Sequence, residues 1–150
     1  MWAMPGGVSG PKGGRPLKSG AQMIHDAARK IRDSATAKPN ASAEAAGAGP
    51  CQIAPAGGVE NRGRPGHSLH GRVGDDGEYV SFQAMAYHVT WTSHNRQGPP
   101  DQPGLHYSHR CHQKRCIEPR HGVWETDAEN RARESCHRGA TCSHNPPCFL

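Results

Sequence analysis

The spacing of cysteine and histidine near the C-terminus constrains this chain more than any other feature. Residues 108–148 hold five of the six cysteines and five of the eleven histidines. Within them, the run C-x5-C-x-H-x3-C places four zinc-type ligands in thirteen residues: Cys136, Cys142, His144 and Cys148. Zinc favours closed tetrahedral shells of nitrogen and sulfur in structural sites, and short spacings let a loop wrap the ion. The run therefore predicts a structural zinc site.

A second set of ligands lies before that run. Cys111, Cys116 and His121 stand five residues apart, and Cys51 is the cysteine left over to complete them. These four residues predict a second Cys3His site. The alternative to Cys51 as the fourth ligand is a histidine: His106, His112 or His137. A disulfide framework is the alternative for an even number of cysteines. The regular histidine offsets and the lack of a visible secretory signal favour zinc in a reducing, intracellular compartment.

The composition limits the size of the core. Hydrophobic residues make up 33% of the chain, and there are 19 glycines and 13 prolines. Such a chain buries little apolar surface, so two zinc ions would serve as its staples. We predict one folded domain over residues 51–150, preceded by a disordered basic tail and linker over residues 1–50. The net charge of +5 lies mostly in that tail, which carries seven basic and three acidic side chains.

Local patterns predict a helix and several strands before the cysteine cluster. Residues 21–33 form a short helix with an apolar stripe, and residues 34–50 read as an Ala/Gly/Pro linker. Strand-length segments at Ser68–Val73 and Glu78–Phe82 lie between turn signals. Those signals are Gly57-Gly58, Gly63, Pro65-Gly66 and Asp75-Asp76-Gly77. Residues 82–90 suit either a strand or a short helix.

The cysteine-rich region predicts a ββα unit. Leu105–His109 reads as a strand, residues 117–122 as a loop and Val123-Trp124 as a short second strand. Thr126 and Glu129 have the spacing of a capping box, so a helix is expected from Asp127 to about Ser135. This order puts His109 at the end of a strand and Asn130 in the first turns of the helix.

At these residues the sequence resembles the His-Cys box homing endonucleases, a branch of the His-Me finger (ββα-metal) nucleases. The resemblance rests on S-H-x-C-H-x-x-x-C-x-x-P-x-H-x-x-W-E-x-x-x-x-N-x-x-R-x-x-C, from Ser108 to Cys136, completed by the C-x5-C-x-H-x3-C run. It implies a small α+β domain: a zinc-stapled His-Me finger with two structural zinc sites and a preceding antiparallel sheet.

The resemblance also implies roles for single residues. His109 would be the general base, because a neutral imidazole can take a proton from the attacking water. Asn130 would bind one catalytic Mg²⁺ or similar divalent ion, which needs few protein ligands. An arginine from the sheet would lie near the scissile phosphate; Arg72 has the matching distance from Cys51, with Arg62 and Arg64 as competitors. Candidate DNA-binding residues on the sheet are Asn61, Arg62, Arg64, His70 and Arg72.

The function implied is a Mg²⁺-dependent, site-specific DNA endonuclease, of the intron-homing kind and located in the nucleus. The implied partner is double-stranded DNA, with neither a membrane nor a small-molecule substrate. A homodimer is expected because cutting both strands needs two active sites, although the chain ends two residues after Cys148 and a monomeric nickase is the alternative. The rival functions are a catalytically inactive DNA-binding module, a zinc-stabilised protein-interaction domain and a nonspecific nuclease.

Overall fold

The structure, a computed structural model, describes residues 19–56, 60–73, 77–136 and 142–150, without the side chains of residues 60 and 61. They form a small α+β fold built on three antiparallel sheets, which confirms the predicted fold class. The predicted disordered tail before residue 19 and the turn signals at Gly57-Gly58 and Asp75-Asp76 lie outside the described residues. Within the described part, no helix combines the length and the apolar composition of a membrane span.

The N-terminal part begins with helix α1, Gly20–Asp33. The Ser19 side chain caps it by accepting a hydrogen bond from the Gln22 backbone N–H. The predicted apolar stripe is confirmed and buried against helix α3 (Ala86–Asn95); it consists of Met23, Ile24, Ala27, Ala28 and Ile31. Residues from 19 onward therefore belong to the folded structure, and the prediction that the folded domain begins near Cys51 is wrong.

The predicted linker over residues 34–50 is also wrong. It contains strand β1 (Thr36–Lys38) and helix α2 (Ala41–Ala45), and β1 pairs with strand β2 (Cys51–Ile53). Asn40 and Glu44 form a capping arrangement around α2, with the Asn40 side chain accepting from Ala43 N–H and Glu44 accepting from Asn40 N–H. Ala43 is fully buried beside the cysteines, so tertiary contacts decide the structure of a segment whose composition resembles a linker.

The middle of the chain is a three-stranded sheet followed by α3. Strands β3 (Glu60–Asn61), β4 (Arg64–Val73) and β5 (Glu78–Met85) pair in that order, which confirms and extends the two predicted strands. The ambiguous residues 82–90 divide at Met85, where the strand ends and α3 begins. Leu69 and Val73 of β4 lie on the core face, whereas Ser68, His70 and Arg72 lie on the solvent face.

The C-terminal part is the predicted ββα unit. Strands β6 (Leu105–His109) and β7 (Gly122–Thr126) form a hairpin, with His109 opposite Gly122, and helix α4 spans Asp127–Glu134. The capping box is present, with hydrogen bonds of 3.2 Å to Thr126 and 2.9 Å to Glu129. A Cβ atom at Gly122 would overlap the Tyr107 phenol ring, so only glycine fits there.

Candidate functional site

Four buried ligands from distant parts of the chain form an inner cluster: Cys51, Cys111, Cys116 and His121. Their ligand atoms all lie within 4.8 Å of one another, and His121 Nδ1 is 3.6 Å from the Sγ atoms of both Cys51 and Cys116. Bond lengths to tetrahedral zinc place a thiolate and an imidazole ligand about 3.5 Å apart. The cluster therefore fits a structural zinc ion.

Hydrogen bonds around the inner cluster orient its histidine and favour the thiolate form of one of its cysteines, as binding of a cation requires. His121 Nε2 lies 2.9 Å from the Gly49 carbonyl oxygen and 3.2 Å from that of Ala48, so Nε2 carries the proton and Nδ1 faces the sulfurs. Hydrogen bonds from the Cys111 and Cys116 side chains hold the pKa of Cys51 well below its ordinary value. Cys51 thus completes the cluster; His106 is exposed on β6, His112 is not among the grouped ligands, and His137 lies outside the described residues.

Cys136, Cys142, His144 and Cys148 form a second, outer cluster at the C-terminal end of α4. His144 Nδ1 lies 3.3 Å from the Sγ atoms of Cys136 and Cys142. The backbone N–H of Cys148 donates to the Cys142 sulfur, and this hydrogen bond lowers the pKa of Cys142 to about 6. Only Cys148 is buried, and the other three ligands are partly exposed. This cluster also fits a zinc ion, but at the surface.

His109 lies beside the inner cluster, at the end of β6. Its Nε2 is 3.1 Å from the carbonyl oxygen of Cys116. A carbonyl only accepts, so Nε2 carries the proton and the lone pair lies on Nδ1. The ring packs edge-on against Tyr87 and Tyr107, at centroid distances of 4.6 and 5.3 Å. Burial lowers the pKa of His109 to about 4 despite the carbonyl contact, so the ring is neutral at pH 7.

A cleft of about 840 Å³ is lined by both His109, at the end of β6, and Asn130, in α4. Four cationic side chains line the same cleft: Lys38 from β1, Arg64 from β4, Lys114 from the loop of the inner cluster and Arg133 from α4, which is paired with Glu125. Glu134 of α4 also lines it, so basic side chains outnumber acidic ones there. The cleft is therefore a concave, positively charged surface with a neutral imidazole and a carboxamide in it. Such a surface suits a polyanion.

Of the candidate arginines, the structure brings Arg64 to the site and leaves Arg72 away from it. Arg64 Nη1 lies 3.2 Å from the hydroxyl of Tyr87, whose ring touches His109, and its charge lowers the pKa of His109. Arg72 instead donates to the Gly77 carbonyl in the β4–β5 turn, at 3.0 Å. The structure therefore favours Arg64 over Arg72 for the arginine beside the cleft, because sequence distance from Cys51 cannot fix where the sheet lies against the hairpin.

The remaining DNA-binding candidates lie on or beside the sheet. His70 and Arg72 share the solvent face of β4 with Ser68, opposite Ser81 and Tyr79 of β5. Arg62 is exposed in the β3–β4 turn, where its φ of 53° and the φ of 76° at Gly63 close a tight hairpin. The side chain of Asn61 lies outside what the structure describes. His70 and Arg72 thus form part of an exposed polar face of the sheet, and Arg62 is exposed at its β3–β4 turn.

A buried polar network lies between the hairpin and α4. Arg133 forms a bidentate ion pair with Glu125, with both N···O distances at 2.8 Å, and also contacts Cys148 Sγ at 3.4 Å. The Ser108 hydroxyl lies at the same interface and donates a hydrogen bond to Asn130 Oδ1 at 2.7 Å. Sequence analysis assigned no function to Ser108, Glu125 and Arg133, although all three stand in the same motif as Asn130. The helical i, i+3 spacing of Asn130 and Arg133 was the available signal.

The comparisons with known proteins agree with this arrangement. Residues 64–150 match the family model described as the zinc-binding loop region of homing endonuclease. No curated protein and no solved structure matches the chain. The family match covers more than half of the chain, from β4 through the outer cluster. The resemblance found in the sequence is thereby confirmed, and the chain belongs to the His-Cys box homing endonuclease family through its zinc-binding loop region.

Proposed function

We propose that this protein is a divalent-metal-dependent, site-specific DNA endonuclease whose two clusters hold structural Zn²⁺. The observation that carries the proposal is the cleft that contains His109 and Asn130 together with the basic side chains of Lys38, Arg64 and Lys114. A buried neutral imidazole is an effective general base at pH 7 only if its lone pair is free and oriented. The Cys116 carbonyl supplies that orientation for His109, by holding Nε2 as the protonated nitrogen.

In this proposal His109 accepts the proton of the water that attacks the scissile phosphate. Asn130 offers a carboxamide oxygen to a divalent ion, and a site with one protein ligand suits Mg²⁺ because that ion retains most of its waters. When bound, such an ion neutralises charge on the phosphate and on the departing 3′ oxygen. Arg64, beside Tyr87, is placed to contact the same phosphate, and the products carry a 5′-phosphate and a 3′-hydroxyl.

Lys38 and Lys114 extend the positive charge of the cleft away from His109. Both are exposed and line the cleft, so we assign them to backbone phosphates of the bound strand. The solvent face of β4 and β5 is assigned to base contacts, with His70 and Arg72 as donors. A homodimer on a near-palindromic site and a nuclear location stay predictions drawn from the family.

The test is cleavage of supercoiled and linear DNA libraries in Mg²⁺ by the wild-type protein, His109→Ala and Asn130→Ala. We expect discrete cuts by the wild type and a loss on the order of 10²-fold or more for His109→Ala, the usual contribution of a general base. His106→Ala is the matched control, because His106 is exposed on the same strand. Zinc content is measured for every variant, since an active-site change should leave two zinc ions per chain.

The outcomes separate the rival functions. Binding of DNA without cleavage, with both zinc ions present, would contradict the enzyme and favour the inactive DNA-binding module. Absence of DNA binding as well would favour a protein-interaction domain. Cleavage without sequence preference would retain the chemistry and remove the site specificity.

A further inference from the structure

Tyr87 lies where strand β5 ends and helix α3 begins. Gly66 of β4 pairs with Met85, the last residue of β5. Arg64 precedes that pair by two residues and Tyr87 follows it by two, so the two side chains meet where the sheet joins the helix. Arg64 Nη1 donates a hydrogen bond to the Tyr87 hydroxyl oxygen at 3.2 Å. The path of the chain from β5 into α3 therefore accounts for this contact.

Other aromatic rings hold the buried Tyr87 ring in place. It stacks on the ring of Tyr107, with centroids 4.9 Å apart and an angle of 22° between the planes. It packs perpendicular to the His109 imidazole, with centroids 4.6 Å apart and an angle of 82°. An aromatic side chain has only two χ angles to fix, and these neighbours restrict both of them. The Tyr87 hydroxyl therefore has a fixed place relative to the imidazole.

Arg64 lines the cleft together with His109 and is only partly buried, at the start of β4. An arginine side chain has many rotamers, and ordering it when a ligand binds or reacts costs free energy. Its guanidinium has five N–H donors in a rigid planar fork, so a hydrogen bond from Nη1 orients the whole group and leaves other donors for a phosphate. Tyr87 thus orders a cationic group of the cleft from behind the cleft wall.

We propose that the Tyr87 hydroxyl holds the Arg64 guanidinium at a fixed position relative to the His109 imidazole, so that both groups reach the same phosphate. This inference rests on the proposed function. Tyr87 is a positioning residue in it, because it acts through Arg64 and does not touch the substrate. Donors that are already in place stabilise a transition state more than mobile ones, since no side chain has to be ordered during the reaction.

The experiment is a double-mutant cycle of Tyr87→Phe and Arg64→Gln, in which Tyr87→Phe keeps the ring and removes only the hydroxyl. Single-turnover cleavage is measured in Mg²⁺ at saturating protein, on the DNA that the wild-type protein cuts in the libraries. DNA affinity is measured separately without a divalent ion.

We expect Arg64→Gln to lower the cleavage rate by on the order of 10²-fold, as for other donors to a developing charge. Tyr87→Phe should lower it by roughly 3- to 10-fold, the effect of having to order one long side chain. In the Arg64→Gln background, Tyr87→Phe should cause no further loss, because the residue through which the hydroxyl acts is already gone.

Ser93→Ala is the control on the same helix. The Ser93 hydroxyl is buried and lies 2.7 Å from His25 Nδ1, in the contact between α3 and α1, so this variant loses a hydrogen bond away from the cleft. We expect it to cleave at the wild-type rate. Zinc content and the thermal midpoint of both variants show whether a loss of structure accounts for slower cleavage.

A measurement without DNA or a divalent ion tests the contact itself. The Nε–H resonance of Arg64 is identified by its loss in Arg64→Gln. Its ¹⁵N relaxation should indicate a rigid group on the picosecond-to-nanosecond timescale in the wild type and in Ser93→Ala, and a mobile group in Tyr87→Phe.

Several results would overturn the inference. An unchanged cleavage rate in Tyr87→Phe, or an Arg64 side chain that stays equally rigid in it, would show that the hydroxyl does not position Arg64. Equal losses from Tyr87→Phe with and without Arg64 would mean that the effect does not pass through Arg64. Weaker DNA binding with an unchanged rate at saturation would assign Tyr87 to affinity instead. Absence of cleavage by the wild type marks failure of the proposed function, and the relaxation measurement then shows separately whether the hydroxyl holds Arg64.

Discussion

The inner and outer clusters have the same set of ligands, three cysteines and one histidine, and differ in which parts of the chain they connect. In the inner cluster, Cys51 and His121 are 70 positions apart, and all four ligands are buried. In the outer cluster, Cys136 and His144 are only 8 positions apart, and three of the four ligands are partly exposed. The inner cluster therefore closes a long loop, whereas the outer one closes a short loop at the end of α4.

Because of this difference, the two metal sites should stabilise different parts of the fold. The inner cluster joins β2 to the β6–β7 hairpin, and the Cys116 carbonyl that orients His109 belongs to one of its ligands. The outer cluster reaches the rest of the fold through Arg133 and through Phe149, whose ring lies under the Arg110 guanidinium at 3.9 Å. Loss of the inner ion should unfold the domain, and loss of the outer ion should loosen one end of it.

The largest expected effect comes from removing one ligand from each cluster. Cys116→Ser should abolish the cooperative unfolding transition, because a structural zinc ion contributes roughly 10–16 kcal/mol, which is as much as the whole stability of a small domain. Cys142→Ser should keep that transition and lose one zinc ion. Near-ultraviolet circular dichroism, thermal melting and zinc analysis measure both results.

A chelator titration sharpens the same contrast. The exposed outer cluster should release its zinc first while tertiary structure is kept, and release from the inner cluster should coincide with unfolding. A domain that keeps its near-ultraviolet spectrum after losing both ions would contradict the view that zinc staples this fold.

Sequence patterns sufficed where the chemistry is local. The outer cluster, the capping box at Thr126 and the β6–β7–α4 unit are set by contacts between residues close in sequence, so spacing alone predicts them. The same unit sets the positions of His109 at the end of β6 and of Asn130 in α4, whereas the roles expected of them come from the family resemblance. The fourth ligand of the inner cluster was left open between Cys51 and three histidines, because a loop of that length puts no limit on which residue returns.

The sequence-based predictions were wrong or incomplete where contacts between distant parts of the chain determine the local structure. The linker assigned to residues 34–50 folds because β1 pairs with β2 and Ala43 is buried beside the inner cluster, neither of which composition can show. Arg64 replaces Arg72 in the cleft because α3 brings Tyr87, and with it the start of β4, against the hairpin. The family model likewise begins at residue 64 and does not cover this N-terminal part.

The second prediction concerns the link between the outer cluster and the fold. Arg133→Met leaves Glu125 buried without its charge partner and removes the contact to Cys148. The two side chains are only 2% and 7% exposed, so the free energy of unfolding should fall by about 3–5 kcal/mol. Chemical denaturation measures the change, and zinc in the outer cluster should also be released faster to a chelator.

Arg131→Met is the matched control on the same helix. Arg131 pairs with Asp127 at 2.9 Å, but this pair is largely exposed, so its loss should cost at most a few tenths of a kcal/mol. Equal effects of the two substitutions would mean that the buried pair contributes no more than a surface pair, and would contradict the view that Arg133 links the outer cluster to the fold.

The smallest expected effect tests the corresponding link at the inner cluster. Asn40 caps α2 through Ala43 N–H at 3.0 Å, and its Nδ2 lies 3.9 Å from Cys51 Sγ. Asn40→Ala should lower the free energy of unfolding by about 1 kcal/mol, the usual cost of an N-cap. Ser19→Ala removes the cap of α1, which contacts no cysteine, and should cost a similar amount. If the Asn40 amide also steadies the thiolate, only Asn40→Ala should speed zinc release from the inner cluster. Equal rates of zinc release from the two variants would mean that Asn40 acts only as a helix cap. Burial of the ligands would then be the reason why we expect the inner cluster to hold its zinc more tightly than the outer one.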